Sequence, residues 1–164
     1  MSKSFTLIEI LIAIFIITLG AGAAFNVIQT TTRLTSVTSD QLIASYLAQE
    51  GIEVVRNIRD DNWLASRSNP NIAWDANIAG TTSYDLDYSS ASFPDPNCNL
   101  GADNFLMNDG SFYNCSTGQN TKFKRKIAVD KSQAGMMVVS ADVSWEERGN
   151  LHHVDVETKL YDWR

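Results

Sequence analysis

The stretch Phe5-Thr-Leu-Ile-Glu9-Ile-Leu-Ile-Ala-Ile-Phe-Ile-Ile-Thr-Leu19 decides how the rest of the chain is read. From Phe5 to Ile28 the only charge is Glu9. As a helix rising about 1.5 Å per residue, this run reaches about 36 Å, enough to cross a hydrocarbon layer of roughly 30 Å. Gly20 and Gly22 are tolerated in such a helix and mark its softest point. A secretory signal peptide would place a short apolar core between a basic start and a small-residue cleavage site. Here Lys3 comes first, the apolar run is long, and it continues without a break into a helix-compatible segment. A plain signal anchor accounts for the hydrophobicity.

It does not account for Glu9. A carboxylate inside an apolar helix costs roughly 2.5 to 3.5 kcal/mol on insertion scales, less near an interface, and such residues are usually functional and partnered. A cut between Ser4 and Phe5 would create an α-amine one helical turn before Glu9. That amine and the carboxylate of a neighbouring helix could neutralise each other in an apolar core. Removing one partner strands a buried charge at roughly 3 to 5 kcal/mol, so the pair acts as a register key between subunits more than as a net stabiliser.

Ser4-Phe5-Thr6-Leu7-Ile8-Glu9 followed by an apolar run resembles the N-terminal methylation motif of type IV prepilins and of the pseudopilins of type II secretion. The resemblance implies a leader, residues 1–4, removed by a prepilin peptidase after Ser4. It implies N-methylation of Phe5 and a role in assembly for Glu9. The family usually has Gly before the cut, where Ser4 stands here. Many major pilins carry a proline about seventeen residues beyond the glutamate, where this chain has Asn26.

Beyond the apolar run, residues 29–62 are expected to continue as an amphipathic stalk helix. From Gln29 to Asp60 there is no proline and one glycine, Gly51. Ile43, Leu47, Val54, Val55 and Ile58 share one helical face. Arg56 and Asp60 are spaced to pair across the solvent side. Thr30 to Ser36 has the lowest helix propensity. The segment from Leu47 to Ile58 also resembles the corresponding helix of minor pilin-like proteins.

The head is expected at residues 63–164. Pro70, Pro94 and Pro96, with many Asn, Ser and Gly, make Ser66 to Ala102 loop-rich. Tyr84, Leu86 and Tyr88 alternate as a short strand. Asn108-Asp109-Gly110 marks a hairpin between Phe105-Leu-Met107 and Phe112-Tyr113. Three half-buried strands follow. Phe123, Arg125, Ile127 and Val129 alternate with Lys122, Lys124 and Lys126. Met137 to Trp145 and Val154 to Leu160 alternate likewise, with a turn at Arg148-Gly149-Asn150. The order implies the α+β class, a long helix packed on an antiparallel sheet.

The net charge is −6, and removing Lys3 with the leader subtracts one more to give −7. An acidic balance argues against general nucleic-acid binding. Lys122, Lys124, Arg125 and Lys126 form the densest basic cluster and read first as a solvated strand face. Cys98 and Cys115 outside the cytoplasm are expected to bridge, closing a loop worth around 3 kcal/mol. Phe105, Phe112 and Tyr113 near this loop are expected in the core. His152 and His153 point to opposite faces of a strand and lack a third ligand, so no metal is expected. Asp103, Asn104, Asn108 and Asp109 fit turn chemistry better than a calcium loop. No catalytic constellation or cofactor site is present in the sequence, and no enzyme is expected.

The resemblance implies a structural subunit. It would be anchored once in the inner membrane with its head outside the cytoplasm, lipid-embedded before assembly, then extracted by the assembly platform into a cell-surface filament. The partners implied are the prepilin peptidase, that platform and other pilin subunits. The irregular head favours a minor pilin. The alternatives are a type II secretion pseudopilin and an uncleaved, monomeric membrane-anchored binding module.

Overall fold

The structure, a computed structural model, describes residues 6–98 and 105–163, and of Thr81–Tyr84 the backbone alone. It is α+β. One helix, α1, runs Leu7–Ser66. Its start is set by a reciprocal cap. Thr6 Oγ1 accepts from the Glu9 amide at 3.4 Å, and Glu9 Oε2 accepts from the Thr6 amide at 2.8 Å. This Thr-x-x-Glu box satisfies two donors that a helix N-terminus otherwise leaves open. The weak stretch from Thr30 to Ser36 stays helical. The hydroxyls of Thr30, Thr32 and Thr35 bond back to the carbonyls of Asn26, Ile28 and Thr31. Arg56 pairs with Glu53 and Asp60 with Arg59, so the expected Arg56–Asp60 pair is replaced by nearer partners.

The chain divides into two compact units, Met1–Asp40 and Gln41–Arg164. In the first, the described part of α1 is exposed from residue 6 to residue 36. An apolar window of this helix is long enough to cross a membrane and none of it is buried.

The second unit holds two sheets. The larger has the order β1 (Thr81–Tyr84), β5 (Phe123–Asp130), β6 (Met136–Glu147), β7 (Asn150–Tyr161). All its pairings are antiparallel. The smaller has the order β3 (Tyr113–Asn114), β2 (Met107–Asn108), β4 (Gln119–Asn120). Both expected turns form. Asp109 Oδ1 accepts from the amides of Ser111 and Phe112, and Gly110 has φ 101°. Arg148 and Gly149 have φ 53° and 79°, the two positive values that a two-residue hairpin turn requires.

The alternation read in β5, β6 and β7 matches the burial. Phe123, Ile127, Val129, Met137, Val139, Val143 and Trp145 lie inside against Leu47, Val55 and Ile58 of α1. Full burial of each aliphatic side chain stabilises by about 1.5 to 3 kcal/mol. Gly51 lets the helix approach β5. A Cβ built there would lie 2.6 Å from Ile127 Cδ1.

Three expectations need correction. The first strand of the large sheet is Thr81–Tyr84, not Tyr84 to Tyr88. It stops because Arg125 Nη2 takes the Leu86 carbonyl and Asp85 Oδ1 takes the Leu86 amide at 2.8 Å. Leu86 is then fully buried while Tyr88 is 52% exposed. Phe105 and Phe112 are not core residues but 41% and 55% exposed. Phe112 stacks on Tyr88 at 4.9 Å, and Lys124 Nζ sits 4.7 Å from the Phe105 ring centre.

Candidate functional site

Of the residues singled out at the N-terminus, Glu9 sits at the head of an apolar helix. Ser4 and Phe5 lie outside the described residues. Glu9 is exposed, in the first turn of α1. Its Oε2 is held by both the amide and the hydroxyl of Thr6, each at 2.8 Å. A carboxylate offers about four lone-pair positions. Among the described residues the cap uses one oxygen, so Oε1 keeps its capacity for a further cation. Around it Leu7, Ile8, Leu11 and Ile12 are each more than half exposed. The site is therefore a fixed carboxylate set in an uncovered apolar surface. Chemically it can accept a proton-bearing cation and pack against hydrocarbon.

In the second unit the sequence signals converge on a different residue. Arg125, counted above with the lysines, is 4% exposed and points to the inner side of the sheet with Phe123 and Ile127. Its Nε donates to Asp85 Oδ1 at 2.7 Å. Its Nη1 donates to Glu50 Oε1 at 3.0 Å and to the Leu47 carbonyl at 3.1 Å. Its Nη2 donates to the Leu86 carbonyl. One guanidinium thus joins α1, the segment after β1, and β5. Burial pushes the Asp85 carboxyl above its ordinary range, against the pull of Arg125. Burial pulls on the Arg125 guanidinium in the opposite sense to Asp85 and Glu50, and the two carboxylates hold it above its ordinary value. The cation is retained because every face of it meets an acceptor.

Cys98 and Cys115 are bonded, 17 residues apart, with Cα atoms 5.3 Å from each other. The disulfide closes the segment that carries β2 and β3 of the small sheet. Asp85 lies close to both sulfurs, but they are spent on each other and offer no thiolate to a metal. His152 stacks on Trp145 at 5.3 Å while His153 is exposed on the other face, so the two share no ligand position. Asn108 Oδ1 bonds the Gly110 amide and Asp109 caps the next two, which accounts for both as turn residues. Asp103 and Asn104 lie outside the described residues.

Arg125 carried a signal that a count of basic residues hides. Its position alternates with Lys124 and Lys126, so parity puts it inside with Ile127. Asp85 and Glu50 carried none, since their approach depends on how the segment after β1 folds back.

No curated protein and no solved structure matches the chain significantly. The N-terminal region does match a family. Residues 1–25 carry the prokaryotic N-terminal methylation motif, the signature of type IV pilins and pseudopilins.

Proposed function

We propose that this protein is a structural subunit of a type IV pilus or a related pilin-like filament, and within that class a minor pilin. The observation that carries the reading is the fixed Glu9 carboxylate on an exposed apolar helix that begins inside a methylation motif. The precursor sits in the inner membrane through the apolar part of α1, with residues 63–164 outside the cytoplasm. A prepilin peptidase cuts after Ser4, Phe5 becomes the methylated N-terminus, and the assembly platform moves the subunit from lipid into the filament. There the Glu9 carboxylate meets the Phe5 amine of a neighbour, and apolar helices cover one another as lipid did before. The pseudopilin of a type II secretion system shares every one of these features and differs in the machine it serves.

Mass spectrometry of the purified N-terminus tests the reading. The expected product begins with N-methylated Phe5. An intact Met1 or Ser2 overturns it and leaves a monomeric membrane anchor.

A further inference from the structure

The large sheet has a second face, turned away from α1, and its charges are not scattered. Register fixes four rows across β5, β6 and β7. They are Lys124–Ser144–His153, Lys126–Asp142–Asp155, Ala128–Ser140–Glu157 and Asp130–Val138–Lys159. Read along the strands, β5 presents two cations, a neutral residue and an anion. Read in the same direction, β7 presents an imidazole, two anions and a cation. One strip is close to the charge inverse of the other. The β5, β6 and β7 residues of these rows are half-buried or exposed, and all four on β7 are exposed.

From this pattern we infer that the outer face of the large sheet is a self-complementary surface on which a second copy of this chain docks, about a twofold axis parallel to the strands and centred over β6. That rotation exchanges β5 with β7 and leaves the row unchanged. Lys126 then faces Asp155 of the second copy, Asp130 faces Lys159, and Ala128 faces Glu157, each twice by symmetry. Lys124 faces His153. Sheets stacked face to face lie about 10 Å apart, a gap that a lysine reaching towards an aspartate spans.

The other in-plane twofold axis, perpendicular to the strands, keeps each strand over itself and reverses the rows. It sets Asp155 against Glu157 of the second copy twice, which offsets the two Lys124–Asp130 pairs it makes, so it gains less than the favoured arrangement. The internal costs of the favoured arrangement lie on the axis, where Glu146, exposed on the same face of β6, meets its own copy. Asp142 also meets its own copy there, with Lys126 beside it in the same row. The surface is three strands wide, at the small end of interfaces, so the contact is weak and sensitive to salt. It uses no part of the N-terminal helix and stands independently of the filament reading.

The test uses the full-length protein in detergent micelles at low ionic strength. Ala128→Cys and Glu157→Cys variants are made separately, mixed, and treated with a short bis-maleimide. The expected product is a dimer joining position 128 of one chain to position 157 of the other, with little 128-to-128 product. Association through the apolar helix gives no such selectivity, and equal yields of the two products overturn the proposal. In the same cysteine backgrounds, Lys126→Glu throughout or Asp155→Lys throughout lowers the 128-to-157 yield about tenfold. Mixing a Lys126→Glu chain with an Asp155→Lys chain restores it, because both symmetry-related contacts regain opposite charges. Circular dichroism confirms that each variant is folded. Reversals that leave the yield unchanged, or a mixture that stays as low as the single variants, overturn the proposal.

Discussion

The two ends of α1 are built from the same kinds of side chain and meet opposite fates. From Leu7 to Ile28 the large apolar residues are 51 to 76% exposed. From Leu47 to Ile58 the buried ones are 0 to 5% exposed. The kinds of apolar side chain do not separate the two stretches, but the number and pattern of polar residues do. The second stretch alternates apolar and polar at helical spacing and so presents one face to one sheet. The first is apolar all round, which suits an environment apolar all round, either lipid or a bundle of like helices. The proposed function assigns the first stretch to assembly, while the second serves folding. A substitution should reveal which by the property it changes.

The largest effect is expected at Glu9. Glu9→Ala removes the carboxylate from an apolar surface and should leave membrane insertion intact or slightly easier, since an intramembrane charge costs roughly 2.5 to 3.5 kcal/mol. Processing at Ser4 should continue. Filament incorporation should be lost, because a neighbour's amine is left without a partner in an apolar core at about 3 to 5 kcal/mol. Immunoblots of sheared surface filaments against membrane fractions read both quantities. Normal incorporation of Glu9→Ala would remove the basis for treating the first stretch as an assembly element.

The mirror case is Arg125→Met, which should affect folding and spare the N-terminal chemistry. It leaves Asp85, 3% exposed, without its cation, and frees the Leu47 and Leu86 carbonyls. The expected loss is about 3 to 5 kcal/mol, seen as a lower melting temperature of the head by near-ultraviolet circular dichroism. Adding Asp85→Asn to Arg125→Met should recover part of the loss, since the stranded charge goes with it. Glu50→Gln should cost less than about 1 kcal/mol, because the Glu50 side chain is 37% exposed and water replaces the lost partner. If Arg125→Met melts with the parent, the guanidinium is not what holds α1 against β5.

How much of this the sequence disclosed depends on the range of each interaction. Local chemistry was readable. The Asp-Gly and Arg-Gly-Asn turns, the alternation of β5 to β7 and the apolar face from Leu47 to Ile58 all depend on near neighbours, and all hold in the structure. The Glu9 motif was readable because a charge in an apolar run stands out without any fold. The segment after Tyr84 was misread because Leu86 and Tyr88 alternate in sequence while the backbone leaves the sheet between them, drawn off by a guanidinium 39 residues away. Phe105 and Phe112 were expected inside on composition. The small sheet they flank is only two residues long per strand and has no inner layer deep enough to take them. Nothing in a linear reading paired Asp85 with Arg125, separated by 40 residues.

Gly51 sharpens the comparison at the smallest scale. Gly20, Gly22 and Gly51 all lie in α1, where glycine is worse than alanine by roughly 1 kcal/mol. A Cβ at Gly20 or Gly22 meets nothing within 4 Å, so alanine there should simply strengthen the helix. At Gly51 the same Cβ would meet Ile127 Cδ1 at 2.6 Å and Cγ1 at 3.2 Å. Ile127 is fully buried, which leaves its side chain no empty space to rotate into. Overpacking costs about 1 to 3 kcal/mol, so Gly51→Ala should come out destabilised by about 1 kcal/mol after the helix gain is subtracted. Ile127→Val removes Cδ1 and should by itself cost about 0.5 to 1.5 kcal/mol. In that background Gly51→Ala should become neutral or stabilising, because the added methyl occupies the space the isoleucine gave up. Thermal denaturation of the four proteins of this cycle measures the coupling. If Gly51→Ala destabilises equally in both backgrounds, the close approach of α1 to β5 is not what requires glycine. The contrast between the helix's two ends would then rest on apolar pattern alone.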